Sequence, residues 1–171
     1  MKYLTIAAAI MLISPIPVYG QGDVLTARAE LFDPSGKSVG TVSLEETPHG
    51  VLLNAGLRGM PPGVHAFHLH SVGRCEPPFK SAGGHFNPFG RQHGLLNPQG
   101  LHAGDLPNIH VGEGGALSFE VLAGLVTLGA GESSLFDADG SAIVIHEGPD
   151  DYRSDPAGAA GKRIACGVIL K

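Results

Sequence analysis

At 171 residues the chain has room for one domain with a real core and too little for two of ordinary size. Its 43% hydrophobic and 16% charged residues exclude a disordered chain, while 26 glycines and 13 prolines point to many turns and long ordered loops, the balance of an all-β protein. A formal charge of −5, with no basic cluster interleaved with aromatic residues, excludes nucleic acid as the expected partner.

The N-terminus reads differently from the rest. Lys2 precedes an apolar run from Leu4 to Ile16, then Pro17 and a small residue at Gly20, the layout of a secretory signal peptide over 1–20 with cleavage near Gly20. The run is shorter than the roughly 20 residues a spanning helix needs, so the mature chain, 21–171, is expected to have no membrane span. The first cysteine is Cys75, which excludes lipid attachment at a new N-terminal cysteine. Loss of Lys2 leaves 10 basic against 16 acidic residues, a mature charge of −6. Two cysteines in an exported chain read as one disulfide, Cys75 to Cys166, in preference to two buried thiols, because the compartment beyond the membrane is oxidising.

From Val24 onward, short segments with alternating apolar positions are separated by turn signals, and no helical periodicity is sustained. Leu25, Ala27, Ala29 and Leu31 alternate in the first segment, and Asp33-Pro34-Ser35-Gly36 after it implies a hairpin. Further strands are expected at 40–45, 51–57, 64–71, 109–111, 117–121, 142–146 and 164–170, about eight in all. Gly112-Glu113-Gly114-Gly115 implies a second hairpin between 109–111 and 117–121. Two Gly- and Pro-rich stretches, 72–108 and 147–162, do not fit a meander. Ordered loops longer than about 15 residues are uncommon unless they are functional, so something is expected to hold the first. A metal ion clipping its histidines would offset the closure entropy.

In the segment containing residues 65–70, a period of two puts His68 and His70 on one face and His65, Phe67 and Leu69 on the other. Two imidazoles at i and i+2 suit copper or zinc, the alternative being two histidines on a solvated face. His65 reads as a packed residue bonded to backbone. His85, His93 and His102, spaced eight and nine apart, with Asp105 three further on, form a plausible tetrahedral nitrogen and oxygen set of the kind zinc accepts. His146 closes a strand downstream. His49 and His110 read as surface or packing residues.

These residues resemble the copper/zinc superoxide dismutase family over 24–171, through GVHAFHLH at 63–70, SAGGHFNP at 81–88, HAGDLPN at 102–108, VIHEGPDDY at 144–152 and GKRIACGVI at 161–169. Cys75, five residues after His70 and followed by Glu-Pro-Pro-Phe-Lys, is similar to the bacterial branch. The resemblance implies an eight-stranded antiparallel Greek-key barrel or sandwich with two long functional loops, an architecture of which this family is itself a standing example. It implies copper on His68, His70, His85 and His146, and zinc on His85, His93, His102 and Asp105. The deprotonated ring of His85 would bridge the ions and carry a proton in turnover. Asp150 matches a carboxylate linking ligands of the two metals, with Asp151 an ordinary solvated acid beside it. Arg163 matches the arginine that draws in the anionic substrate. The implied reaction is disproportionation of superoxide to oxygen and hydrogen peroxide by copper cycling between Cu(II) and Cu(I), in the periplasm or after secretion. Monomer and homodimer both stay open. A competing reading, a dismutase-like domain that binds or delivers copper without turnover, would be expected to lack a copper ligand, the bridging histidine or the arginine; all are present here.

Overall fold

The computed structural model describes residues 24–171, so the leader and its cleavage point lie outside the described residues. Nine strands follow in chain order: β1 (Thr26–Phe32), β2 (Ser38–Thr47), β3 (Gly50–Leu57), β4 (Gly63–His65), β5 (Phe67–His70), β6 (Ile109–Val111), β7 (Leu117–Ala123), β8 (Ala142–His146) and β9 (Arg163–Val168). Every pairing among them is antiparallel. Seven strands form one curled sheet in the order β5-β8-β9-β1-β2-β3-β7, and β4 pairs with β6. Among the described residues no helix is long and apolar enough to cross a membrane.

The alternation read from the sequence places the core. In β1, Ala27, Ala29 and Leu31 are buried while their neighbours face outward, although Leu25 precedes the strand and is exposed. The β1–β2 hairpin forms as expected: the Asp33 carboxylate accepts from the Ser35 and Lys37 amides (2.8 and 3.1 Å), and Gly36 takes φ 85°. A further tight turn joins β2 to β3, where the Thr47 hydroxyl donates to Gly50 O at 2.8 Å. Phe67 and Phe119 meet edge to face across the core at 5.2 Å.

Two expectations need correction. The strand expected at 64–71 is two strands, because at Ala66 the backbone leaves the ladder: its N–H donates to Gly148 O (2.9 Å) and its carbonyl accepts from His146 N (3.0 Å). Counted as one bent strand, β4 and β5 restore the expected eight. The expected hairpin at 112–115 makes its turn, with Gly115 N donating to Gly112 O at 2.9 Å, but its arms do not pair. β6 joins β4 and β7 joins β3, leaving a cleft of about 310 Å³ lined by Ile109, Leu117, Phe119 and Val121. Apolar side chains of both arms line this cleft.

The long loop 72–108 is held from several sides. Cys75 is bonded to Cys166 of β9, with Cα atoms 5.7 Å apart. Behind that bond Phe79, Ala82, Ala142, Val144 and Cys166 pack as a small second core, which is why β8 is buried on both faces. The loop then runs along the free side of β5: Leu69 N donates to Gly104 O (3.0 Å), Phe86 N to Leu69 O (2.8 Å) and Ser71 N to Gly84 O (3.0 Å). This contact brings His85 opposite His70 and Asp105 opposite His68.

Candidate metal centre

The residues singled out from the sequence converge on one buried region at this end of the sheet. His68, His70, His85 and His146 form one group and His85, His93, His102 and Asp105 another, the candidate donor atoms within each lying within 4.8 Å of one another. Strand parity delivers His68 and His70 together. A register shift between Ile145 and His146 sets His146 opposite Arg163, the local re-aiming that bulges produce. His65 lies outside both groups with its ring nitrogens 2.9 Å from the His146 and Pro61 carbonyls, a packed residue as read. His49 and His110 are exposed and belong to neither group.

Each ring is fixed at one nitrogen. His70 Nδ1 donates to Gly83 O (3.1 Å), His146 Nδ1 to Gly161 O (3.3 Å), and His68 Nε2 and His93 Nε2 to the two oxygens of Asp150 (2.8 and 2.9 Å). His85 Nδ1 lies 2.8 Å from Asp105 Oδ1. The opposite nitrogens, His68 Nδ1, His70 Nε2, His85 Nε2, His93 Nδ1 and His146 Nε2, are buried without a hydrogen-bond partner; His93 Nδ1 is 3.1 Å from Asp105 Oδ1 but not aligned for a hydrogen bond. A buried polar atom left unpaired costs about 1–3 kcal/mol, and five in one place indicate lone pairs arranged for cations. Four imidazoles suit copper; three imidazoles and a carboxylate suit zinc. The residues therefore fit both ions.

Asp105 and Asp150 tie these rings together. Asp105 Oδ1 also lies 3.2 Å from His102 Nδ1, and Oδ2 accepts from the Gly94 and His102 amides (2.9 and 3.0 Å). Burial acts to raise both carboxyl pKa values, but hydrogen bonds from His102 and His85 and the close approach of His93 hold Asp105, and hydrogen bonds from His68 and His93 hold Asp150, well below the usual carboxylate range. Burial pushes His70 down, helped by the charges of His85 and Arg163. Burial likewise lowers His85 to about 4 and His146 to about 3. At His93 burial acts downward too, but the Asp105 carboxylate beside its Nδ1 and the hydrogen bond to Asp150 carry it up to about 9.

These shifts set a stability optimum for the metal-stripped chain. His85 and His146 stay neutral in the fold down to about 4 and about 3 but protonate near 6.5 when unfolded, so the unfolded state binds more protons below 6.5 and stability is lost as the pH is lowered from there. His93 keeps its proton in the fold up to about 9, so its contribution is full below 6.5 and lost as pH rises toward 9. The thermal midpoint of the stripped protein is expected to peak near pH 6.5. A midpoint still rising at pH 9 would contradict this account.

Arg163 lies half-buried beside the first group. Its Nη1 donates to Phe79 O and its Nη2 to Gly83 O, both at 2.6 Å, so it shares Gly83 O with His70. With Lys80, Lys162, Pro34 and Pro78 it lines a surface cavity of about 520 Å³. Two residues at the site carried no sequence assignment: Asn108 and Tyr152 both bond to Asp150. Asn108 lies within the HAGDLPN segment and Tyr152 ends VIHEGPDDY, but nothing in their residue types marked a role.

The model of the copper/zinc superoxide dismutase (SODC) family matches residues 38–169. "Superoxide dismutase [Cu-Zn] 2" of Aquifex aeolicus is 57% identical over 148 residues, covering 85% of this chain and 86% of that protein. "Superoxide dismutase [Cu-Zn]" of Caulobacter vibrioides is 45% identical over 170 residues, covering 97% and 98%. Among solved structures, a SOD-like protein from Bacillus subtilis superimposes with a TM-score of 0.81 at 38% identity, covering 84% of this chain and 97% of that one. The Cu/Zn superoxide dismutase from Brucella abortus gives 0.66 at 30% identity, covering 84% and 99%. With relatives this similar along nearly the whole described chain, and two buried donor groups that suit the two ions, the chain belongs to the copper/zinc superoxide dismutase family.

Proposed function

We propose that His68, His70, His85 and His146 hold copper, that His85, His93, His102 and Asp105 hold zinc, and that the protein so loaded disproportionates superoxide. The observation that carries this is His85, the one residue common to both buried groups, with Nδ1 beside Asp105 and Nε2 lacking any protein partner. Bound copper supplies the redox chemistry, cycling between Cu(II) and Cu(I) as one superoxide is oxidised to oxygen and a second, taking two protons, is reduced to hydrogen peroxide. His85 holds and releases a proton at Nε2. Asp150, on the far side of the His68 and His93 rings, fixes both with Nδ1 facing inward. His85, His93, His102 and Asp105 would hold zinc, which has no redox chemistry and would tie together the loop that carries them.

Arg163 keeps N–H groups beyond the two given to Phe79 and Gly83, and these are available to a small anion. Together with Lys80 and Lys162 it makes a positive wall on a chain of net negative charge. Local fields of this kind can draw an anion against net charge, an effect for which this family is itself a standing example. The test is superoxide decay after a radiolysis pulse, with the copper- and zinc-loaded protein at several ionic strengths. Catalytic decay that slows with salt is expected. Arg163→Ala is expected to keep both metals, lose about tenfold or more of the rate at low salt, and flatten the salt dependence. An unchanged rate would remove the role assigned to Arg163. No decay above the metal-free background, despite bound copper, would leave a copper-binding protein without turnover.

We also propose that 1–20 is a leader cleaved near Gly20 and that the protein works in the periplasm or beyond it. Lys2, the apolar run after it and the Cys75–Cys166 bond support this reading. Fractionation that finds the mature chain in the cytoplasm would refute it.

A further inference from the structure

Asp150 lies in a loop without regular secondary structure, yet its carboxylate serves a ring from each donor group at once. Such a link works only if something else fixes the aspartate. Asn108 does so from the other long loop: its Oδ1 accepts from Asp150 N (2.8 Å) and its Nδ2 donates to Asp150 O (2.9 Å), a two-point clamp on the backbone of one residue. The clamp is itself fixed by Tyr152, whose hydroxyl accepts from Asn108 N at 2.7 Å and whose own N–H donates to Asp150 Oδ1 at 2.6 Å. Tyr152 takes φ 62°, a left-handed conformation unfavourable to a tyrosine. Gly158 closes the other side, where a Cβ would overlap Asp150 Oδ1.

We infer that Asn108 and Tyr152 are positioning residues, which hold Asp150 so that His68 and His93 present Nδ1 to their metals. The inference rests on the ligand assignment proposed above. Asn108 stands three residues beyond Asp105, so the clamp ties the segment carrying a zinc donor to the residue that orients the copper donor His68. Loosening it is expected to weaken zinc binding and free both rings, though neither Asn108 nor Tyr152 touches a donor position.

The experiment titrates zinc into metal-stripped wild type, Asn108→Ala, Asn108→Asp and Tyr152→Phe, with competition by a chelator of known affinity. It also follows the Nε2–H signals of His68 and His93 by nitrogen-resolved NMR in the diamagnetic Cu(I),Zn form. Asn108→Ala is expected to raise the zinc Kd about 10- to 100-fold, the range for removing a partner that orients a ligand, and to hasten Nε2–H exchange. Asn108→Asp keeps the size but loses the donor to Asp150 O, and is expected to behave like alanine. Tyr152→Phe, which keeps the ring and so guards against misfolding, is expected to move both readouts the same way by a smaller factor. The inference is overturned if Asn108→Asp and Tyr152→Phe both stay within about twofold of wild type with unchanged exchange, even if their thermal midpoints fall. A wild type that takes up no zinc at these residues overturns the ligand assignment and the inference with it.

Discussion

Replacing His85 with alanine is expected to lower the rate of superoxide decay by about 10²- to 10⁴-fold, the contribution typical of a positioned proton-transfer group. No other side chain among the described residues belongs to both donor groups, so its loss opens both at once. Asp105 Oδ1 loses its shortest histidine contact, and the unpartnered nitrogens of His68, His70 and His146 lose the fourth member of their set. Alanine cannot fill the space between the groups, where the His85 ring stands 4.0 Å from that of His68 and 5.0 Å from those of His70 and His93, centroid to centroid. The check is pulse-radiolysis decay combined with metal content, with His110→Ala, an exposed histidine outside both groups, as the control. A variant that keeps more than about a tenth of the wild-type rate would show that proton handling does not depend on this ring.

The second large effect is on stability. Replacing Cys75 and Cys166 by serine is expected to lower the unfolding free energy by about 2–5 kcal/mol, because the bond closes a separation of 91 residues and the chain-entropy cost of closing so long a loop lies near the top of that range. Activity should fall with it. The segment that Cys75 anchors carries the Phe79 and Gly83 carbonyls, and those two groups aim the Arg163 guanidinium and fix His70. Serine at 166 also places a hydroxyl in the small core of Phe79, Ala82, Ala142 and Val144. Denaturant unfolding of the metal-stripped protein isolates the disulfide from the metals, since metal binding would stabilise both forms by mass action. A difference below about 1 kcal/mol would mean that the loop is held chiefly by its other contacts.

The histidine geometry was legible because a strand has a fixed period. Knowing only that 65–70 is extended places His68 and His70 together and His65 apart, and both features appear. The bounds of β6 and β8 were legible for a different reason: glycine turns and polar segments flank short apolar runs. The change of sheet at Ala66 was not, because its cause is a pair of hydrogen bonds to Gly148 and His146, some 80 residues away, that leave no local mark. The splayed arms of β6 and β7 were misread because a glycine turn specifies a reversal of the chain but not whether the strands on either side face one another. Asn108 and Tyr152 escaped notice for a related reason. Each is a single polar residue whose partner lies in another loop or depends on a left-handed backbone, and neither repeats with a period.

The loop that carries His85, His102 and Asp105 also lies along β5 and satisfies amides and carbonyls there that no neighbouring strand reaches. Those groups would otherwise form an open strand edge, the kind of surface on which a second chain can add itself. The supply of donor side chains and the covering of that edge therefore rest on the same segment. Any displacement of this loop backbone would uncover that edge to neighbouring chains.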